Sequence, residues 1–513
     1  MGSLKLHSVD IVLFVTGVAF AAGVSCLQTR LGFGRGSDHP VHIFLINAIR
    51  ANGRKLFRRV PNLVNDSYCG AYPLFLHWVL SFLPSRWLRH VTYFLNPAIN
   101  VSLVLLTYSI ASVALTAPLP GLAALIAALT PQFHHVLSAR IYGISSRPIG
   151  LLLFNLWLAA CAIAQYSRDP RPAFVAAVIL SYLIWGFNTF AQQAMLLFGA
   201  VFGAIFGTWT LLLSAGISVL LFLAVTPGYA AGYLRHTLLF CRNYATDISK
   251  IYLFPSRPSI WRDLVLDLWV RKGRSLKERM LYIYGSPVVI VVLFNPLTLM
   301  GVLPLATGEG NRILEFASRV SLAALLVFIA TSFRVTRFLG EPERYVELVT
   351  NYSAIAGVGW LASSGHLDVS IALAVWFAVL DSAQLYALYF KSVEAPEPPG
   401  LARVRKVMTD QFGPAETRFI SNNEDMTKHL MTQPWNFARY WSAEEKFAGY
   451  SFREAFSVYP CYRKPAFEDA IRQYRLNAVL LDKTVFADCF EANRDRLAVL
   501  LDDERFRLYR VTW

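Results

Sequence analysis

Apolar runs of about 20 residues recur along the first three quarters of the chain, and no other feature constrains the fold as strongly. That length crosses a bilayer core of roughly 30 Å as a helix. Backbone groups inside lipid must bond within their own segment, so each run is read as a helix. The pattern gives about eleven spans, the first near 9–28, the next near 91–115 and 119–137, the last near 368–390. With 55% hydrophobic residues and only 16% charged, the 513-residue chain cannot be solvated as one soluble globule. The first run ends in "AAGVSC", which looks like a signal cleavage site. It is of full spanning length with a single lysine before it, so it reads as a retained helix.

The net charge is +15, carried by loops beside apolar runs. That placement points to lipid headgroups and phosphates and not to nucleic acid. An odd span count puts the loop 29–90, the basic segment 229–283 and everything after the linker "EAPEPPG" on one side of the membrane. Basic residues near the other loops favour a cytoplasmic N-terminus. The expected organisation is a transmembrane module over 1–392 and a small soluble α/β domain over 393–513. In the latter, "TRFISNN", "NAVLLDK" and "RFRLYRVTW" read as strands, and "KPAFEDAIRQYR" and "ANRDRLAVLLDD" as helices. Cys461 and Cys489 either pair or stay as thiols.

Polar residues at the membrane boundary are the candidates for chemistry. "SDHPVHIFLINAIRANG" starts with Asp38 and His42 four apart on one helix face, while Val41, Phe44, Leu45, Ala48 and Ile49 form an apolar face expected to lie in lipid. Asp38 either caps this helix, with Pro40 in its first turn, or faces a cavity. Arg58, Arg59, Asp66 and a second short apolar helix in "YPLFLHW" follow. Arg147 in "SSRPIG" either grips a phosphate or snorkels as an anchor. His134 and His135 are either ligands of a divalent ion such as Mg or Mn, with Asp38 and His42, or plain helix-end residues. Arg235 and Arg242 head a basic, aromatic-rich stretch, and "RFLGEPERY" brings Glu341, Arg344 and Tyr345 together as a site wall or a salt-bridge corner.

The order and placement of "SDHPVH", "AYPLFLHW", "SSRPIGLLLF" and "RFLGEPERY" resemble the GT-C glycosyltransferases, in layout the protein mannosyltransferases and aminoarabinose transferases. The resemblance covers most of the chain. It implies a mainly α polytopic bundle with two juxtamembrane helices in the first outer loop and a small C-terminal α/β domain. It implies an inverting enzyme that moves sugar from a polyprenyl-phosphate donor (undecaprenyl or dolichyl) to a glycan, lipid or protein acceptor. The membrane expected is the bacterial inner membrane, with the site facing the periplasm. On this reading Asp38 is the base and Asp66 a weaker second acid. Arg58, Arg59, Arg147, Arg235 and Arg242 serve the lipid phosphate, and His42, Glu341, Arg344 and Tyr345 serve the substrates. Relatives often carry an acid in the second outer loop; "SARIYGISSRP" has none. A transporter or flippase of lipid-linked sugars, for which Asp381 in the last run is a hint, and a non-catalytic subunit of an envelope assembly complex are the alternatives.

Overall fold

The computed structural model describes residues 2–32, 39–57, 59–65, 73–132, 143–248, 287–308, 311–392, 398–413, 416–440, 446–488 and 497–513. Along the chain come helices α1 (Gly2–Gly32), α2 (His39–Ala51), α3 (Phe75–Ser81), α4 (Ser85–Ala114), α5 (Leu119–Leu129), α6 (Ser146–Tyr166) and α7 (Arg171–Phe187). They continue as α8 (Thr189–Phe206), α9 (Thr210–Val225), α10 (Pro227–Asn243), α11 (Pro287–Phe294), α12 (Leu297–Met300), α13 (Leu303–Thr307) and α14 (Arg312–Thr331). After α15 (Glu343–Glu347), α16 (Thr350–Ser363) and α17 (Leu367–Ser392), strands alternate with short helices. The chain divides into two compact units.

The first unit, Met1–Phe33, Ser85–Val225 and Arg257–Val393, has helices and turns and no strand among its described residues. Six described helices are long and apolar enough to cross a membrane, and a seventh span results if α11 and the α12–α13 pair, bent by 77° at Asn295–Pro296, count as one. Helices α5, α7 and α9 are apolar but shorter. The chain is therefore a multi-pass membrane protein. Several of its buried polar groups are paired within the bundle. Asp10 of α1 accepts from the Gly121 amide at the start of α5 (2.6 Å) and from the Tyr108 hydroxyl (2.8 Å). The positive end of α5 and two hydrogen bonds thus hold one acid in the bundle. Gly121 is required there, since a Cβ would lie 2.1 Å from the Asp10 carbonyl oxygen. Between α9 and its neighbours, Trp157 donates to Ser214 (3.0 Å) and Trp185 to Ser218 (3.0 Å).

The second unit gathers Gly34–Pro84, Thr226–Ser256 and Glu394–Trp513. Segments that share one core lie on one side of a membrane. A five-stranded sheet runs in the order β2-β1-β5-β7-β6, with β1 Arg418–Ser421, β2 Asn436–Phe437, β5 Ala478–Asp482, β6 Leu497–Asp502 and β7 Phe506–Val511; β3 (Phe456–Val458) and β4 (Cys461–Tyr462) form a separate hairpin. β2, β1 and β5 are parallel, and β7 and β6 add antiparallel. The central strand "AVLLD" is buried along its whole length, as a strand covered on both faces must be. Phe419, Phe437, Leu480 and Leu508 share one core with α2 and with helices Leu401–Gln411 and Glu424–Leu430. Ile420, Val479, Leu481 and Tyr509 share the other with helix Lys464–Gln473 and an aromatic cluster.

Two expectations change here. Val41, Phe44, Leu45, Ala48 and Ile49 of α2 are buried in protein, Phe44 edge-on to Phe437 at 5.3 Å, and do not face lipid. An amphipathic pattern measures the width of the apolar face, not what covers it. The segment "LAVLLD", expected as part of a helix, is strand β6, paired antiparallel to β7 across a tight turn at Asp503–Arg505. Its short apolar run fits either state, and pairing with β7 decides it. Cys489 lies outside the described residues.

Candidate active site

Within the first unit, three chain segments build a polar layer around Arg147. Helix α6 begins with Ser145 in extended conformation, its hydroxyl accepting from the Arg147 amide (3.3 Å). Pro148 sits in the first turn, where no amide is needed. Asn188 caps α8 through the Ala191 amide (2.8 Å) and donates to the Ser146 carbonyl (3.2 Å). This close approach needs Gly150, where a Cβ would come 2.5 Å from the Asn188 side chain. The start of α6 and the α7–α8 junction are thereby fixed to each other.

The third segment runs from Gly340 to Leu348. Gly340 takes φ +98°, a left-handed conformation that favours glycine, and turns the chain into the one-turn helix α15. Arg147 clamps Glu347 with both arms of its guanidinium: Nε lies 3.1 Å from Oε1, and Nη2 pairs with Oε2. Their side chains are 16% and 7% exposed. Arg344 pairs with Glu341 one turn back and stands over the Phe190 ring at 5.7 Å. Tyr345 is fully buried; its hydroxyl donates to the Leu339 carbonyl (2.7 Å) and its ring lies 4.6 Å from that of Phe190. Gln132, at the end of α5, donates to the Glu343 carbonyl (2.7 Å), and Asn155 of α6 donates to that of Leu348 (2.9 Å). Arg147, Glu341, Arg344 and Tyr345, expected at a site from separate motifs, are brought together. Glu347, which the sequence reading passed over, joins them. Its one signal was periodicity: in "ERYVE" it lies one turn after Arg344, on a helix too short to bury an unpaired charge.

Within the second unit, His42 and His77 form a buried pair. His42 Nδ1 lies 2.8 Å from His77 Nε2, and the rings are parallel within 8°. Such a bond needs one donor and one acceptor nitrogen, so the two rings cannot both be cationic. Burial, and next the charge of His42, hold His77 well below its usual value near 6.5, although the Pro73 carbonyl works the other way. Burial also lowers His39. At the far end of the same helix pair, Arg50 donates to the carbonyls of Ser81 (3.1 Å) and Leu83, closing the α3 C-terminus. Arg59, Arg235 and Arg242 are exposed. Asp38, Asp66, Arg58, His134 and His135 lie outside the described residues. Among the described residues no three histidines, cysteines or acids gather as a metal site.

No family model matches the chain, and no curated protein matches it in sequence. Solved structures do. An oligosaccharyltransferase from Archaeoglobus fulgidus in the apo form superposes over 91% of this chain and 69% of its own, with a TM-score of 0.58 at 15% identity. ArnT from Cupriavidus metallidurans, bound to undecaprenyl phosphate, superposes over 97% of both chains, with a TM-score of 0.55 at 14% identity. The chain has the GT-C fold. The archaeal enzyme AglB, solved with an inhibitory peptide and a dolichol-phosphate, superposes with a TM-score of 0.55 at 15% identity. In the GT-C fold of this chain the polar layer around Arg147 and the histidine pair are two of the places, among the described residues, where buried polar side chains converge.

Proposed function

We propose that the chain is an inverting glycosyltransferase that moves one sugar from a polyprenyl-phosphate donor to a glycan, lipid or protein acceptor. The observation that carries this reading is the superposition with ArnT over 97% of both chains, in a structure that holds undecaprenyl phosphate. The site faces the outer side of the membrane, in a bacterial envelope the periplasm. Asp38, the residue before α2, is the base: it takes the proton of the acceptor hydroxyl as that oxygen attacks the anomeric carbon. The new C–O bond forms on the face opposite the phosphate, the old one breaks, and the lipid phosphate leaves with the electron pair. Arg147 meets its charge, aided by the positive N-terminus of α6. Asp66 orients the acceptor. Base and electrostatic terms of this kind each supply on the order of 10² to 10³ in rate.

The test uses purified protein with radiolabelled polyprenyl-phosphate sugars and follows release of lipid phosphate. Asp38→Asn is expected to abolish release while the protein still binds donor. Near-normal turnover in that variant refutes the assignment of the base. One observation favours a second reading, a flippase for lipid-linked sugars: Asp381 of α17 is buried, and neither of its oxygens has a hydrogen-bond donor among the described residues. A flippase moves the labelled lipid across a vesicle membrane and leaves it intact, so the same substrate separates the two.

A further inference from the structure

We propose that the phosphate of the lipid donor and the Glu347 carboxylate are alternative partners for the Arg147 guanidinium, exchanged when donor binds; this rests on the reading above. A guanidinium fork fits a carboxylate and a phosphate by the same two parallel N–H···O bonds. Glu347 takes both arms of that fork. Arg147 is also the second residue of the 21-residue helix α6, so the helix end adds positive potential where a second anion would dock. A phosphate on Arg147 with Glu347 still in place would set like charges against each other in a site that is mostly buried. One of them must leave.

The segment supplies a landing place for Glu347. Arg344 lies three residues earlier on the same helical turn, within reach of Glu347 as an i, i+3 pair. Its present partner, Glu341, is the more exposed of the two paired acids, at 35% against 7% for Glu347, and can pass to water. The exchange therefore runs in one direction along α15: phosphate to Arg147, Glu347 to Arg344, Glu341 to solvent. Each guanidinium exchanges one anion for another, and Glu341 exchanges its pair for water. Glu347 acts as a positioning residue that keeps Arg147 extended and sets the affinity for donor.

The consequence has an unusual sign, since removing an acid from the site tightens binding. If Glu347 holds Arg147 in about nine-tenths of molecules, Glu347→Gln strengthens binding of a C15 polyprenyl monophosphate about tenfold. The full chain in lipid nanodiscs is titrated with that probe. Arg147→Gln is expected to weaken binding, and Arg147→Gln/Glu347→Gln to match Arg147→Gln, because the gain requires the guanidinium. A purely structural Glu347 gives equal or weaker binding in Glu347→Gln, and that result overturns the exchange while leaving the donor assignment standing. Failure of wild type and Glu347→Gln alike to bind the probe overturns both. Should Glu347→Gln melt too low for titration, the melting shift produced by the probe is read instead. It is expected to exceed that of wild type, and a shift no larger than wild type overturns the exchange.

Discussion

At the scale of single residues, the two polar groups differ in how far the sequence exposes them. Arg147 and Tyr345 stand out because they interrupt apolar runs at a membrane boundary. Glu347 does not, because its partner is 200 residues away and only the fold joins them. His42 was legible as a neighbour of Asp38, but not as half of a pair with His77, 35 residues on. That pair makes a pH prediction. His77 titrates near 6.5 when unfolded and well below that when folded. Below the unfolded value the unfolded chain therefore binds more protons, and folding loses stability as pH falls. The loss stops growing once pH passes the folded value. The expected slope for this ring is up to about 1.4 kcal/mol per pH unit between roughly pH 6.5 and 5. Melting curves at pH 7, 6 and 5 should fall for wild type and flatten for His77→Gln. A wild-type melting temperature that is constant over this range contradicts a buried neutral pair.

Among elements, the apolar runs translate into helices almost directly, because a segment surrounded by lipid has few other ways to bond its backbone. What the runs do not reveal is which face meets protein. The face of α2 was readable to the residue, and its covering was not: the sheet that buries it comes from the far end of the chain. Strand β6 failed for the same reason, since its helical or extended state is settled by β7. The assignment of α2 is measurable. Leu45 is fully buried in the core of the second unit, so Leu45→Ala should cost about 2–5 kcal/mol in chemical unfolding of that unit. Leu238 of α10, 72% exposed, is the control, and Leu238→Ala should stay within about 0.5 kcal/mol. Equal, small effects at both positions would mean that α2 lies against lipid after all.

For the molecule as a whole, the second unit is assembled from three separated stretches of chain, and none of them contains its whole core. The C-terminal stretch keeps the sheet but lacks α2 and the partners from α10. Expressed alone, residues 398–513 should leave Met426, Leu430 and Phe437 uncovered, bind a hydrophobic dye and aggregate. Co-expression with 39–84 should suppress both; a monodisperse, sharply melting fragment without it would refute the shared core. Loop residues 62–64 take this dependence furthest. Leu63 pairs in parallel with Phe437, extending the sheet beyond β2, and Asn65 donates to the Arg439 carbonyl 374 positions later. At ribosomal speeds of roughly 5–20 residues per second, that loop waits on the order of 20–70 s for its mate to be synthesised. All the intervening spans are threaded into the bilayer in the meantime. The core of the second unit is therefore completed only after residues 436–439 have been made.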